Sequence, residues 1–206
     1  MIPPERFLVS RKTNPQQWWQ TRRFGISATT IAKSVTPAGL LKTVQTWGEE
    51  SGFSNDYTKF GTASEEEILM AIAHEYDLSP SEWLIAGENP KHFATPDGIS
   101  RDHRLVAEVK TTGKPWDGVQ EGTHKLPILY RRQIQWQLHC TSAEACVFIW
   151  QLRVPNGNGW YKFGWDKPKT LIIERDEEMI DSLKATALQL ETHLKPVWEE
   201  DTVIPW

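Results

Sequence analysis

At 206 residues, with 39% hydrophobic side chains, the chain suits one domain with a sizeable core and is too apolar for a disordered segment. Its two cysteines, Cys140 and Cys146, exclude a Cys₄ zinc or iron–sulfur site, and their apolar contexts read as reduced core positions of an intracellular protein. The net charge of −4 does not itself call for nucleic acid, no apolar run reaches the roughly 20 residues of a membrane span, and MIPPERFLVSRK has no signal-peptide apolar region.

The charge is unevenly distributed. Residues 1–47 carry seven Lys/Arg and one acid, and residues 48–100 carry two bases and eleven acids. A basic arm followed by an acidic segment suits a phosphodiester substrate, the arm for phosphates and the acids for a metal. A solvated basic terminus accounts for the same counts. The eleven tryptophans are mostly core in expectation, although Trp-rich loops also stack on bases.

In chain order, Asn14 and Pro15 predict the cap and first residue of a helix over Gln16–Arg23. Gly25 ends it, and Ser27 caps a second helix through Lys33. A helix start with hydroxyls beside an arginine is an anion pocket in outline; plain capping by Ser27 with an exposed Arg22 explains it as well. A short helix is expected near Leu40–Trp47. From Thr58, the spacing of Ile68, Leu69, Ile72, Ala73 and Tyr76 predicts an amphipathic helix. Gly61 is expected to precede it, with Thr62 or Ser64 as cap. Glu65, Glu66 and Glu67 would then occupy its first turn and complement the helix dipole, unless one of them turns toward a metal. Trp83–Ala86 reads as the first strand of the sheet.

Two strand-like runs follow, His92–Ser100 and Arg104–Thr112, joined by Arg101-Asp102-His103. The first contains Pro96-Asp97-Gly98 and the second Glu108-Val109-Lys110. Residues i and i+2 of a strand share a face, so Glu108 and Lys110 point one way and Val109 the other, into a core. Convergent carboxylates suit a hard divalent cation, and a lysine beside them can hold an activated water or stabilise developing charge. An ordinary solvated hairpin is the alternative. Thr111–Gly122 is expected to be a mobile loop over the site.

Pro127–Thr141 predicts a helix with Tyr130, Gln133 and Gln137 on one face, flanked by Arg132 and Trp136. Glu144–Arg153 reads as a buried strand, Asn156–Gly159 as a hairpin turn, Trp160–Trp165 and Thr170–Glu174 as strands. Asp176 opens a final helix to about Trp198.

The ordered set W-x₃-R-x₃-I-S-A-T, G-x₃-E, P-D-G, E-V-K and Y-x₂-Q-x-Q resembles the lambda-exonuclease and YqaJ-type viral recombinase family of PD-(D/E)xK nucleases, from about Trp18 to Gln151. The resemblance implies an α/β, restriction-endonuclease-like core, with a mixed central sheet of about five strands flanked by helices. It implies one nuclease domain over 1–206: a basic helical part (1–57), a catalytic core (58–175) and a C-terminal helix (176–206). It further implies that Asp97, Glu108, Glu65 and the carbonyl of Val109 hold metal. Lys110 would be the catalytic lysine, and Gln133 would orient water and lysine. Arg22, supported by Trp18, would hold a 5′ phosphate with Ser27 and Thr29, and Tyr130 would line the cleft. Arg23 is the alternative to Arg22, and Thr29 stands where a serine is usual.

The implied activity is Mg²⁺-dependent hydrolysis of linear duplex DNA, 5′ to 3′, by a two-metal mechanism, with Mn²⁺ as alternative metal. A single-strand annealing protein is the implied partner and a ring trimer the implied assembly. The implied location is the cytoplasm of a bacterial host if the gene is phage-borne. A structure- or site-specific endonuclease and a non-catalytic DNA-binding module are the rivals. A Cas4-like iron–sulfur nuclease is excluded by the cysteine count.

Overall fold

The computed structural model describes residues 1–49, 55–116, 118–157 and 160–200, with side chains of the last helix to 194. The chain runs β1 (Phe7–Ser10), α1 (Pro15–Phe24), β2 (Ile26–Ser27), α2 (Ala28–Ser34), α3 (Pro37–Gln45), α4 (Asp56–Met70), β3 (Leu78–Pro80), β4 (Trp83–Ala86) and β5 (His92–Ala94). It continues with β6 (Gly98–Ser100), β7 (Leu105–Thr112), α5 (Ile128–Thr141), β8 (Ala145–Pro155), β9 (Tyr161–Phe163), β10 (Lys169–Glu174) and α6 (Glu177–Glu200).

The larger sheet has the order β10-β8-β7-β6-β3, with β9 on the far end of β8. Only the central β7–β8 pair is parallel, joined through α5; the other pairs are antiparallel. Five strands in one path, with β9 added as a sixth on β8, make the mixed sheet of about five strands flanked by helices that the resemblance implies.

Helices cover both faces of the central pair. On one face Ile134 and Leu138 of α5 meet Val106, Cys146, Phe148 and Trp150. On the other, Ile68 and Leu69 of α4 meet Ala107, Val109, Val147 and Ile149. Burial on two faces explains why ACVFIW is continuously apolar rather than alternating. Each of these aliphatic side chains contributes about 1.5–3 kcal/mol by leaving water. A third cluster packs Leu183, Ala187 and Leu190 of α6 against Trp136, Ile26 and Ile31, and Trp136 Nε1 donates to the Ile26 carbonyl at 3.1 Å. The basic N-terminal helices are thereby fastened to α5.

The start of α4 differs from expectation. Asn55 is the cap: its side chain accepts from Thr58 N at 2.9 Å, and Thr58 Oγ1 accepts from Asn55 N at 3.0 Å. Gly61 therefore lies inside α4, where an added Cβ would stand 3.3 Å from Thr111 Oγ1, against the end of β7. Glu65, Glu66 and Glu67 sit well beyond the first turn, so helix-dipole complementation does not explain them. The helix ends at Met70, short of Tyr76.

Other boundaries also shift. α3 starts at Pro37 because Thr36 caps it, accepting from Gly39 N. His92–Ser100 is two strands, broken at Thr95-Pro96-Asp97, and Pro96 has no N–H to give a ladder. β5 belongs to a second, four-stranded sheet, β1-β4-β5-β2. Trp83–Ala86 lies there too, so it is not the first strand of the main sheet. β7 runs on to Thr112, and the segment after it is anchored by buried Val119, which packs with Trp116 beneath α5. Of the expected turn Asn156–Gly159, positions 158 and 159 lie outside the described residues.

Candidate active site

The site exists because β6 is short. β6 pairs with β7 only at Gly98↔Ala107 and Ile99↔Val106. Beyond Ala107 the peptide edge of β7 on that side has no strand partner among the described residues. Asp97 fills the first gap: its own N–H donates to the Ala107 carbonyl at 2.9 Å, and its Oδ2 accepts from Val109 N at 2.6 Å. Its carbonyl is held in turn by Ser81 N at 2.9 Å. The next group along the edge is the Val109 carbonyl, and Lys110 Nζ donates to it at 3.1 Å. The Val109 side chain points into the core beneath α4.

Glu108 and Lys110 share the face turned toward α5, as their spacing predicts. Glu108 is only 6% exposed. It is an ion-pair partner of Lys110 and accepts from Gln137 Nε2 on α5. Lys110 Nζ also lies 5.8 Å from the centroid of the Tyr130 ring. From the other side α4 brings Glu65, whose charge is felt by Asp97 and Lys110. Its neighbours Glu66 and Glu67 are exposed.

Gly98 sets the approach of that helix. An added Cβ there would meet Leu69 Cδ2 at 2.9 Å and Ala107 Cβ at 3.2 Å, and Leu69 is one turn beyond Glu65. The glycine of P-D-G thus determines how closely the helical glutamate reaches the site.

Charge follows from this crowding. Burial, then the Glu108 carboxylate, pushes the Asp97 carboxyl well above its usual range. Burial raises Glu65 against the pull of Lys110. Burial works against the Lys110 ammonium, but Glu108 and Asp97 outweigh it and its pKa rises. The donors are hard oxygens, three carboxylates and one carbonyl, which fit Mg²⁺ or Mn²⁺ rather than a soft metal. Among the described residues no three of His, Cys, Asp and Glu already close on one point. Lys110 takes up the charge instead.

The N-terminal pocket forms beside this cleft. Arg22 lies over Trp18 at 5.4 Å and Trp19 at 5.8 Å, and Arg11 lies over the same rings at 5.4 and 5.7 Å. Burial, then Arg11, lowers the pKa of Arg22. Arg22 Nε is buried with no partner among the described residues. Arg23 instead lies over Phe24 at 5.6 Å and lines the space at Gly48, apart from the tryptophan pair. Ser27 caps α2 and bonds Thr30 Oγ1 at 2.9 Å. Thr29 Oγ1 accepts from Gln133 Nε2 at 3.2 Å.

Sequence reasoning therefore placed Asp97, Glu108, Val109, Lys110 and Glu65 together. Gln133, expected to orient water and lysine, donates to Thr29, and Gln137, one turn on, donates to Glu108. The same reasoning passed over Arg11, whose charge reaches both Arg22 and Glu65.

The family model for the YqaJ-like viral recombinase domain matches residues 17–144. The chain belongs to that family. Among solved structures, the YqaJ-like chain is similar to an alkaline exonuclease, LHK-Exo, from Laribacter hongkongensis. The TM-score is 0.66 at 19% identity, covering 92% of this chain and 100% of that one. LHK-Exo in complex with dAMP gives 0.68 at 20% identity, with the same coverage. A phage-related exonuclease from Haemophilus somnus 129PT gives 0.66 at 16%, covering 86% and 96%. These identities speak to a shared fold. No curated protein matches the chain. Among the described residues no helix is long and apolar enough to cross a membrane.

Proposed function

We propose that the chain is a metal-dependent deoxyribonuclease that degrades linear duplex DNA from an end, 5′ to 3′. The observation that supports this best is the grouping of Asp97, Glu108 and Glu65 around the Lys110 ammonium and the Val109 carbonyl, each acid near enough to act on the lysine, in a YqaJ-like chain. Solved neighbours described as exonucleases add support from the fold.

Asp97, Glu108, Glu65 and the Val109 carbonyl would hold Mg²⁺, or Mn²⁺ in its place. Bound there, divalent ions supply an activated water and stabilise charge at the scissile phosphate, in the two-metal scheme. The chain's own residues do the rest. Asp97, locked to Val109 N, fixes the register of the site. Gln137 holds one Glu108 oxygen and so aims the other. Lys110, kept as an ammonium by its carboxylates, donates to the water or to the phosphoryl oxygens as negative charge grows. Tyr130 walls the cleft on the α5 side. Arg22 over Trp18, with Ser27 and Thr29, receives the terminal 5′ phosphate, and the position of Arg23 favours Arg22 for that role. Gln133 ties Thr29 to the helix that carries Gln137.

The whole chain serves as one nuclease domain in this reading. Its 3′ single-stranded product suits a single-strand annealing protein, and a ring of three copies would make digestion processive. Light scattering tests that assembly.

The functional test is digestion of linear duplex with 5′-phosphate or 5′-hydroxyl ends, beside closed circular DNA. The expected result is loss of linear DNA only, faster from phosphorylated ends, abolished by chelator and restored by Mg²⁺. Cleavage of the circle would make the protein an endonuclease, and no digestion with any divalent metal would leave a binding module.

A further inference from the structure

An aromatic group lies next to the cleft and takes no part in the mechanism above. Buried Phe60 on α4 contacts Trp160 at 6.2 Å, Tyr161 at 5.7 Å and Phe163 at 5.8 Å, and Tyr57 packs on Tyr161 at 5.3 Å. Two of these rings remain open to solvent: Tyr57 is 50% and Trp160 40% exposed. Single exposed aromatics need no explanation. A pair of them on a rigid aromatic base, with a cation attached, does.

The cation is Arg153. Its Cζ lies 4.9 Å from the Tyr57 ring centroid, and its Nη1 donates to the Thr111 carbonyl at 2.7 Å and to Thr111 Oγ1 at 3.2 Å. Among the described residues it has no acidic partner, and its Nε is buried without one. Thr111 directly follows Lys110. α4 is the second link: Gly61 rests on Thr111, and Tyr57 lies eight residues from Glu65, about 12 Å along the helix axis. The aromatic surface therefore continues the floor of the cleft. Rings that offer π-faces beside an unneutralised guanidinium suit unpaired bases on a phosphate backbone better than an apolar protein partner.

We propose that Tyr57 and Trp160, based on Phe60 and flanked by Arg153, form a stacking platform for unpaired bases of the DNA strand that passes the acidic cleft. At about 3.4 Å per stacked nucleotide, the platform meets bases about three to four positions from the scissile phosphate. The proposal rests on the nuclease reading and goes beyond it by naming where the single strand lies.

The test is fluorescence anisotropy with full-length Asp97→Asn protein, which binds without cutting, and labelled oligo-dT or a blunt duplex of equal length. Tyr57→Ala and Trp160→Ala should each weaken oligo-dT binding about tenfold and change duplex binding less than about twofold. Tyr57→Phe and Trp160→Phe should restore it. On the unaltered platform, abasic nucleotides three to four positions from the scissile phosphate should cost as much, and should cost nothing further in the alanine variants. This arm decides the matter even where an alanine variant misfolds. Unchanged oligo-dT affinity, an equal loss on duplex, or indifference to abasic positions overturns the platform alone. Binding of neither DNA by the Asp97→Asn parent removes the nuclease reading, and the platform with it.

Discussion

Two polar clusters lie in the interior of this molecule, and the crowding of acids separates them. In the cleft three carboxylates, Asp97, Glu108 and Glu65, face one ammonium. Behind α5, the carboxylate of Glu191 on α6 accepts from Asn89 Nδ2 at 3.0 Å and meets His92 Nε2 at 2.7 Å. The His139 ring lies tilted beside His92, with centroids 5.8 Å apart. Burial lowers the pKa of both histidines. In the second cluster the acid meets partners held toward their neutral forms, and the group fastens α6 to β5. The first crowds three acids so closely that burial and their mutual repulsion raise Asp97 and Glu65, a cost that a cation or a reaction would justify. Burial is common to both, so crowding of acids is the better mark of function.

Substitutions can break that contrast, the largest effects lying in the cleft. Asp97→Asn and Lys110→Ala should each lower the rate of DNA hydrolysis by about 10³-fold while a cooperative melting transition persists. Full activity in either purified variant would remove the site. Glu65→Gln should cost about 10²-fold, whereas Glu66→Gln, exposed on the same helix, should stay within about twofold of the parent. Equal effects would mean that α4 does not aim Glu65 into the cleft.

The Glu191 cluster should respond in stability. Glu191→Ala should lose about 2–3 kcal/mol in urea denaturation, because it strips partners from Asn89 and His92. Its turnover at a temperature where it is folded should match the parent. A Glu191→Ala protein that is stable but inactive would erase the distinction between the two clusters.

The smallest expected effect is a pH slope. His139 is pushed down to about 4 by burial first and then by His92, Lys184 and Arg175, from an ordinary value of 6.5. Between those values the unfolded chain binds more protons than the folded one. Stability should therefore fall by about 1–2 kcal/mol as pH drops through that window, part of the full shift being screened by solvent. His139→Gln should flatten this slope relative to the parent in denaturation at pH 7 and pH 4.5.

Much of the cleft was readable because its signals are local. E-x-K fixes which residues share a strand face, P-D-G marks a break, and Asn14-Pro15 and Ser27 start helices by capping chemistry. The start of α4 was hidden because its box uses Asn55 and Thr58 rather than the usual Ser/Thr and Glu pair, while Gly61 read as the residue before the helix. Gly61 is there instead for close approach to Thr111. The second sheet was hidden for another reason. Trp83–Ala86 reads as a strand, but the choice of partner depends on β1 and β5, and a pairing between distant segments leaves no trace in the local pattern. Gln133 and Gln137 share a helical face, and only the packing angle of α5 decides which one meets Glu108.

The Val109 carbonyl carries a genetic consequence. It is a main-chain atom, so substitution of the side chain at position 109 leaves that oxygen in place. Isoleucine or leucine there would alter packing under α4 and keep the contact. A slip of β7 by one residue would move that oxygen away, and a proline at 109 would keep the oxygen but lose the N–H that donates to Asp97. This oxygen of the cleft thus belongs to a group that every amino acid carries, and missense change cannot delete it.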